Sequence, residues 1–216
     1  MSEHHTASTH GPVRIIGTPP EERNSRRDWN RRYASGRGPQ KEDPHPWLVE
    51  NLWRVKRGRA LDVACGMGRD SIWLAQQGFR VHGVDFSAVA LRAARERAAR
   101  LGVLDRVQFV VADLTQFGFP RDYYDLVIGF SFWEPRIMGD LRDAVRPGGF
   151  LIYETFNIWW KWTRPDVPDR FLLQPGELRQ WFKDWRVWAY REVGSDRPFT
   201  AGKKAVSSIV AQKPEA

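Results

Sequence analysis

The stretch Ala60-Leu61-Asp62-Val63-Ala64-Cys65-Gly66-Met67-Gly68-Arg69-Asp70 constrains this chain more than any other. A short apolar run carries an acid, passes two glycines and opens a helical pattern, which predicts a strand, a tight turn and a helix start. Gly66 and Gly68 have no Cβ, so the backbone there can take positive φ and lie against a ligand. The helix that follows offers unpaired N–H groups in its first turn. Asp62 stands at the mouth of the turn, where it would repel a pyrophosphate. The turn therefore favours a nucleotide-like ligand with positive charge and no phosphate.

The pattern around this unit alternates. Strands are expected over residues 59–64, 79–84, 107–111, 124–128 and 150–154, separated by helices over 69–77, 87–101 and 137–145. Gly78 stops the first of these helices. Ser87 is placed to cap the second, whose Leu91, Ala94, Ala98 and Leu101 form one apolar stripe. The third closes at Arg146-Pro147-Gly148-Gly149. Shorter helices are expected around Trp29–Tyr33, from Trp47 to Val55 and from Glu177 to Phe182. Strands separated by helices imply a parallel sheet covered on both faces. Residues 185–193 and 205–212 read as two more strands joined by a loop, too short a connection for a parallel crossover. The expected fold class is α/β: a doubly wound seven-stranded sheet, mostly parallel, with a C-terminal antiparallel hairpin and helices on both faces. Ligand should lie beyond the carboxyl ends of the strands.

At 216 residues the chain predicts one domain, residues 25–216, behind a disordered arm, residues 1–24. Its one cysteine excludes an intrachain disulfide. It has no apolar run of the roughly 20 residues that span a bilayer, and residues 1–20 do not resemble a signal peptide. A cytoplasmic location without membrane contact is expected. The net charge of +8 comes from outside the middle of the chain, since residues 61–150 balance their acids and bases. Arg23, Arg26, Arg27, Arg31 and Arg32 form the one dense basic patch, which reads as a solvated arm and makes nucleic acid an improbable partner. No motif specifies an oligomeric state. His4, His5 and His10 lack partners at ligand spacing, so no metal is expected.

Asp85 ends the second strand, where a carboxylate can accept from both hydroxyls of a ribose, or complement the N-terminus of the next helix. Asp113 follows the third strand, where it could accept from an adenine amino group while the Leu114 N–H donates to the ring. An acid at three successive strand ends is a far more specific signal than one Gly-x-Gly.

These residues resemble the S-adenosylmethionine-dependent methyltransferases of the seven-stranded, class I type. Asp62-Val63-Ala64-Cys65-Gly66-Met67-Gly68 is similar to the first motif of that family, with Ala64 where glycine is usual. Gly83-Val84-Asp85-Phe86-Ser87 and Val111-Ala112-Asp113-Leu114 are similar to the second and third. Tyr124-Asp125-Leu126-Val127 and Arg146-Pro147-Gly148-Gly149 are similar to the fourth and to the turn before the fifth strand. Tyr153-Glu154-Thr155-Phe156 and Phe171-Leu172-Leu173-Gln174-Pro175-Gly176-Glu177-Leu178 further resemble small methyltransferases of the tellurite-resistance type. The resemblance implies S-adenosylmethionine as cofactor and S-adenosylhomocysteine as product. It places Gly66 and Gly68 against the methionine part, Asp85 at the ribose and Asp113 at the adenine, with Trp29 and Tyr33 as an N-terminal cover. Ala64, Cys65, Phe86, Leu114 and Phe130 complete the expected cofactor site.

A sulfonium suits aromatic faces, and Trp29, Tyr33, Phe130, Phe132 and Trp133 are candidates. On the acceptor side Trp133, Glu134, Glu154 and Trp159 are the expected residues, with Trp159, Trp160 and Trp162 forming a lid that excludes water. Such a lid predicts a small, partly apolar or soft acceptor. The alternatives are a protein or nucleic-acid acceptor, or cofactor binding without turnover. After the fourth strand, Gly129-Phe130-Ser131-Phe132-Trp133-Glu134 stands where nucleobase amino-methylation would call for an Asn-Pro-Pro-Tyr-type stretch. His82, alternating with Val81 and Gly83, reads as a packed core histidine, and His45, in a Pro-flanked turn, as structural.

Overall fold

The computed structural model describes residues 14–16, 26–36, 42–194 and 204–215. Its elements run β1 (Arg14–Ile16), α1 (Arg26–Ala34), α2 (Pro46–Asn51), β2 (Arg59–Val63), α3 (Arg69–Gln76), β3 (Arg80–Asp85), α4 (Ala88–Arg100), β4 (Val107–Ala112), β5 (Tyr124–Phe130), α5 (Met138–Ala144), β6 (Val145–Phe156), α6 (Glu177–Trp181), β7 (Arg186–Glu192) and β8 (Val206–Gln212). One sheet holds all the strands, in the order β1-β4-β3-β2-β5-β6-β8-β7. The seven expected strands are all present. β8 inserts between β6 and β7 and runs antiparallel to both, as the short final connection requires. All other pairings are parallel.

The strands sort their side chains by alternation. Leu61, Val63, Val84, Val127, Leu151, Tyr153 and Ile209 face one core, closed by Ile137, Met138 and Leu141 around α5 and by Leu178 and Phe182 around α6. Ala60, Val81, Phe109, Leu126, Ile128, Ile152 and Val210 face the other, closed by Leu48 of α2, Ile72 and Leu74 of α3, and Leu91, Ala94 and Ala98 of α4. Leu101, expected in the α4 stripe, is instead 46% exposed, because the helix has ended and it serves as the C-cap. Ser87 caps α4 as expected, its Oγ accepting from the Ala90 N–H at 3.1 Å.

Two details differ from the sequence reading. Arg14–Ile16, within the arm expected to lack structure, forms an eighth strand at the sheet edge, parallel to β4; the rest of residues 1–24 lies outside the described residues. The Arg146–Gly149 turn, expected to close α5, belongs to β6. Gly148 takes φ +73°, and this pinched backbone exchanges bonds with the chain end: the Gly148 N–H donates to the Lys213 carbonyl and the Lys213 N–H to the Gly149 carbonyl.

β2 lies between β3 and β5, so the chain leaves the sheet in opposite directions on its two sides and opens a crevice at the carboxyl ends. Gly129 of β5 lets Tyr153 of β6 lie flat beneath that edge: a Cβ at residue 129 would stand 2.2 Å from the Tyr153 ring. That ring is fully buried, and its hydroxyl donates to the Phe132 carbonyl at 2.8 Å. Gly129→Ala should therefore destabilise the fold by about 1–3 kcal/mol, the usual cost of overpacking. Urea unfolding checks it: the midpoint should fall at constant m, and a wild-type midpoint would show that Tyr153 can yield.

Candidate functional site

The turn after β2 is bent by three residues of positive φ: Ala64 at 53°, Gly66 at 54° and Gly68 at 71°. For Ala64 this left-handed backbone costs roughly 1–2 kcal/mol, and at the position where the resembling family carries glycine it is borne by an alanine. The Cys65 N–H donates to the Val84 carbonyl at 3.1 Å, and the Gly68 N–H to the Cys65 carbonyl at 2.9 Å. Gly68 also lets α3 approach α4, since a Cβ there would lie 2.9 Å from Ala94 and from the Phe109 ring.

Asp85 organises the crevice. Its Oδ2 accepts from the Gly66 N–H at 2.8 Å and its Oδ1 from the Ser87 N–H at 2.8 Å. Burial pushes its pKa up to about 6, against the pull of these backbone donors. Asp113, buried just past β4, accepts through Oδ1 from the Thr115 N–H and hydroxyl, at 2.9 and 2.8 Å. Leu114 turns its side chain into the core beneath. Phe86 is half-buried between Asp85 and Ser87.

Asp62 differs from its expected place. Its carboxylate is 3% exposed and accepts from the Ser71 hydroxyl at 2.6 Å. Burial and the nearby Asp70 carboxylate both push its pKa well above the ordinary carboxylate value. Its charge is thus withdrawn from the mouth of the turn, and its part is to brace the first turn of α3. Cys65 is half-exposed as a residue, but its thiol is desolvated and faces Asp62 and Asp85, which raises its pKa well above the usual range.

α1 lies over the crevice. The Ser87 hydroxyl donates to Asn30 Oδ1 at 2.5 Å, tying α1 to the start of α4. Tyr33 reaches the glycine turn: a Cβ on Gly66 would stand 2.7 Å from its hydroxyl. Desolvation and the Asp85 charge raise the Tyr33 pKa, so this hydroxyl remains a donor. Trp29 packs on Tyr33 with ring centroids 5.6 Å apart.

The other side of the crevice is built from β5, β6 and the loop before α2. Phe130 ends β5 and stacks on His45 at 4.0 Å with an interplanar angle of 6°. Glu154 is buried on β6, directly across from Phe130. Its Oε2 accepts from Ser208 at 2.5 Å and Arg191 at 2.9 Å, and its Oε1 faces His45 Nε2 at 3.4 Å. Ser131 takes φ +57° as the chain leaves β5. Trp159 and Trp160 are half-buried on a 3-10 turn, Ile158–Trp162, with Trp160 stacked on Phe156 at 3.5 Å and Trp162 exposed.

Other expected acceptor residues are engaged elsewhere. Glu134 caps the short helix at Pro135–Ile137 and pairs with the Arg136 guanidinium at 2.8 Å, which holds its pKa low. Trp133 packs into the core beside Ile137, and Phe132 packs against that core half-buried. His82 is bonded to the Tyr124 hydroxyl at 2.9 Å, as a packed histidine would be. His45, read from the sequence as structural, is the N-cap before Pro46 and Trp47.

Residues 60–149 match the family described as Methyltransferase domain. That stretch runs from β2 into β6 and holds the glycine turn, Asp85 and Asp113. The chain is 37% identical over 122 residues to a demethylmenaquinone methyltransferase of Clavibacter sepedonicus, covering 50% of this chain and 49% of that protein. It is 27% identical over 154 residues to hemagglutinin 1 of Eikenella corrodens, covering 68% of this chain and 50% of that one. The chain spans about half the length of these curated relatives. Its fold is that of TehB from Haemophilus influenzae, with a TM-score of 0.67 at 19% identity over 85% of this chain and 67% of that one. Among the described residues no helix is long and apolar enough to cross a membrane.

The bond between Ser71 and Asp62 ties the start of α3 to β2. Ser71→Ala leaves a buried carboxyl without its donor, which should cost about 1–3 kcal/mol. Thermal and urea unfolding at neutral pH measure it; an unchanged midpoint would mean that Asp62 finds another partner.

Proposed function

We propose that this protein transfers a methyl group from S-adenosylmethionine to a small-molecule acceptor. The observation that carries the reading is the convergence of Asp85 and Asp113 at the carboxyl ends of β3 and β4, beside a glycine turn strapped to Asp85. The groups present suit this cofactor. Gly66 keeps its backbone bare, with the Tyr33 hydroxyl resting over it, 2.7 Å from where a Cβ would stand. Asp85 supplies a desolvated carboxylate suited to a ribose diol, and Asp113, with the Leu114 backbone, an edge suited to an adenine. Ala64, Cys65, Gly66 and Gly68 form the wall for the methionine part. Trp29, Tyr33, Phe86 and Phe130 are the aromatic faces available to a cationic, partly apolar ligand.

When bound, S-adenosylmethionine supplies a methyl group on a sulfonium, open to in-line displacement. The chain's own part is to hold the acceptor in line with that methyl, and positioning of this kind can supply about 7–11 kcal/mol. The half-buried Trp159, Trp160 and Phe156 keep water from the acceptor side. A small acceptor is favoured because this wall is apolar. The similarity to a demethylmenaquinone methyltransferase supports the same reading.

Calorimetry with S-adenosylhomocysteine tests the proposal, and Asp85 gives it a signature. A ribose diol donates to the ionised carboxylate. Its pKa of about 6 means that affinity should hold at pH 8 and weaken as pH falls through 6, by up to about tenfold per unit. Asp85→Asn should bind at least tenfold more weakly, without that pH dependence. Absence of binding by the wild type, or unchanged binding by the variant, would sink the reading.

A further inference from the structure

On the methyltransferase reading above, we propose that His45 is the general base of the reaction, oriented by Glu154, and that the acceptor is an aromatic hydroxyl. His45 is fixed on every side. Its backbone N–H donates to Asp70 Oδ1 at 2.6 Å, and Arg69 grips the other Asp70 oxygen at 2.9 Å. The start of α3, which opens from the glycine turn, therefore also holds His45. One face of its ring lies on Phe130, the last residue of β5. Its Nε2 faces Glu154 Oε1. Its Nδ1 is buried and has no hydrogen-bond partner among the described residues.

This is the geometry of a base and its orienting carboxylate. Glu154 cannot turn away, because Arg191 and Ser208 hold its other oxygen. A carboxylate beside Nε2 keeps the proton on that nitrogen and leaves the lone pair on Nδ1. An unpaired buried acceptor of this kind costs about 1–3 kcal/mol, which a donor on the acceptor molecule would recover.

The charged groups around the ring set its protonation. Glu154 and Asp70 favour the imidazolium, while Arg69 and Lys204 oppose it. Desolvation outweighs them, so the His45 pKa lies below its ordinary 6.5 and the ring is neutral at pH 7.

The same balance selects the acceptor. A weak imidazole base is better matched to an acidic hydroxyl than to an aliphatic alcohol, and a thiol, with a pKa of about 8.5, needs little help. A phenolic hydroxyl, with a pKa near that of tyrosine at about 10, gains most from a base. Its ring also suits a wall of Phe130, Phe156 and Trp160. In the step, the hydroxyl proton passes to His45 Nδ1 and the oxygen lone pair forms the new O–CH3 bond. The S–CH3 bond breaks, and its electron pair stays on sulfur as the neutral thioether. The resulting imidazolium faces Glu154 and releases its proton to solvent.

Three measurements on the full chain test this, beginning with S-adenosylhomocysteine binding, which separates the inference from the reading on which it rests. Wild type that binds no S-adenosylhomocysteine overturns both; wild type that binds it yet methylates no member of a panel of simple phenols overturns this inference alone. His45→Asn should still bind S-adenosylhomocysteine but lose roughly 10²–10⁴ in kcat/KM on an ordinary phenol, and recover most of the loss on a nitrophenol already ionised at neutral pH. The wild-type rate should fall below the His45 pKa, and Glu154→Gln should move that limb. Imidazole ¹⁵N NMR reads the site without turnover. It should show Nε2 protonated and Nδ1 bare at pH 7, with Nδ1 shifting when phenol is added to the S-adenosylhomocysteine complex. A His45→Asn enzyme with the wild-type rate and pH profile, or a proton on Nδ1, overturns the inference.

Discussion

The bond from the Gly66 N–H to the Asp85 carboxylate is the one on which the crevice depends. It joins the turn after β2 to the end of β3, and the other oxygen of the same carboxylate joins both to the start of α4 through Ser87. Ser87 then reaches Asn30 of α1. Four elements are thus held around one desolvated acid. Its raised pKa has a cost in stability as well as a use. With a folded pKa of about 6 against an ordinary 3.8, Asp85 contributes most to folding when protonated, below pH 4, and that contribution is lost as pH rises through 6. At neutral pH the fold holds a buried charge that it would be more stable without.

Of the three non-glycine residues with positive φ among the described residues, two lie at the same edge, while Asp122 precedes β5. Ala64 and Ser131 each follow the end of a central strand, β2 and β5, and each takes positive φ without being glycine. Non-glycine residues hold such conformations only where the surroundings over-determine them. Here the strap from Cys65 to Val84 and the bond from the Ser131 N–H to the Glu154 carbonyl do so. The two strained residues stand at the exits of neighbouring strands.

What could be read from the sequence follows the range of the interactions. Strand ends with acids, the αL glycines and the Ser87 cap are local signals, and the side of the crevice built from β2 to β4 was legible from them. The side built from β5, β6 and the loop before α2 was not, because it is made from distant pairs. Glu154 is defined by Ser208 and Arg191, and His45 by Phe130 and Asp70, contacts that no periodicity records. Glu134 stood at an equally plausible strand end but is consumed by its neighbour Arg136. Asp62 looked exposed because the sequence does not show Ser71 folding back over it. The Pro-Gly-Gly before the main run of β6 read as a stop, since its partner, Lys213, lies near the chain end.

The row Glu154–Ser208–Arg191 crosses three strands, with Ser208 of β8 in register with both others. β8 is the last strand made, yet it separates β6 from β7. Synthesis therefore delivers the two halves of the crevice at different times. The turn, Asp85 and Asp113 can assemble from β2 to β5 while the chain is still growing. Glu154 gains its two anchoring donors only after β8 has threaded between strands made before it. The strand ends of β2 to β4 are thus complete in sequence well before the strand that anchors Glu154.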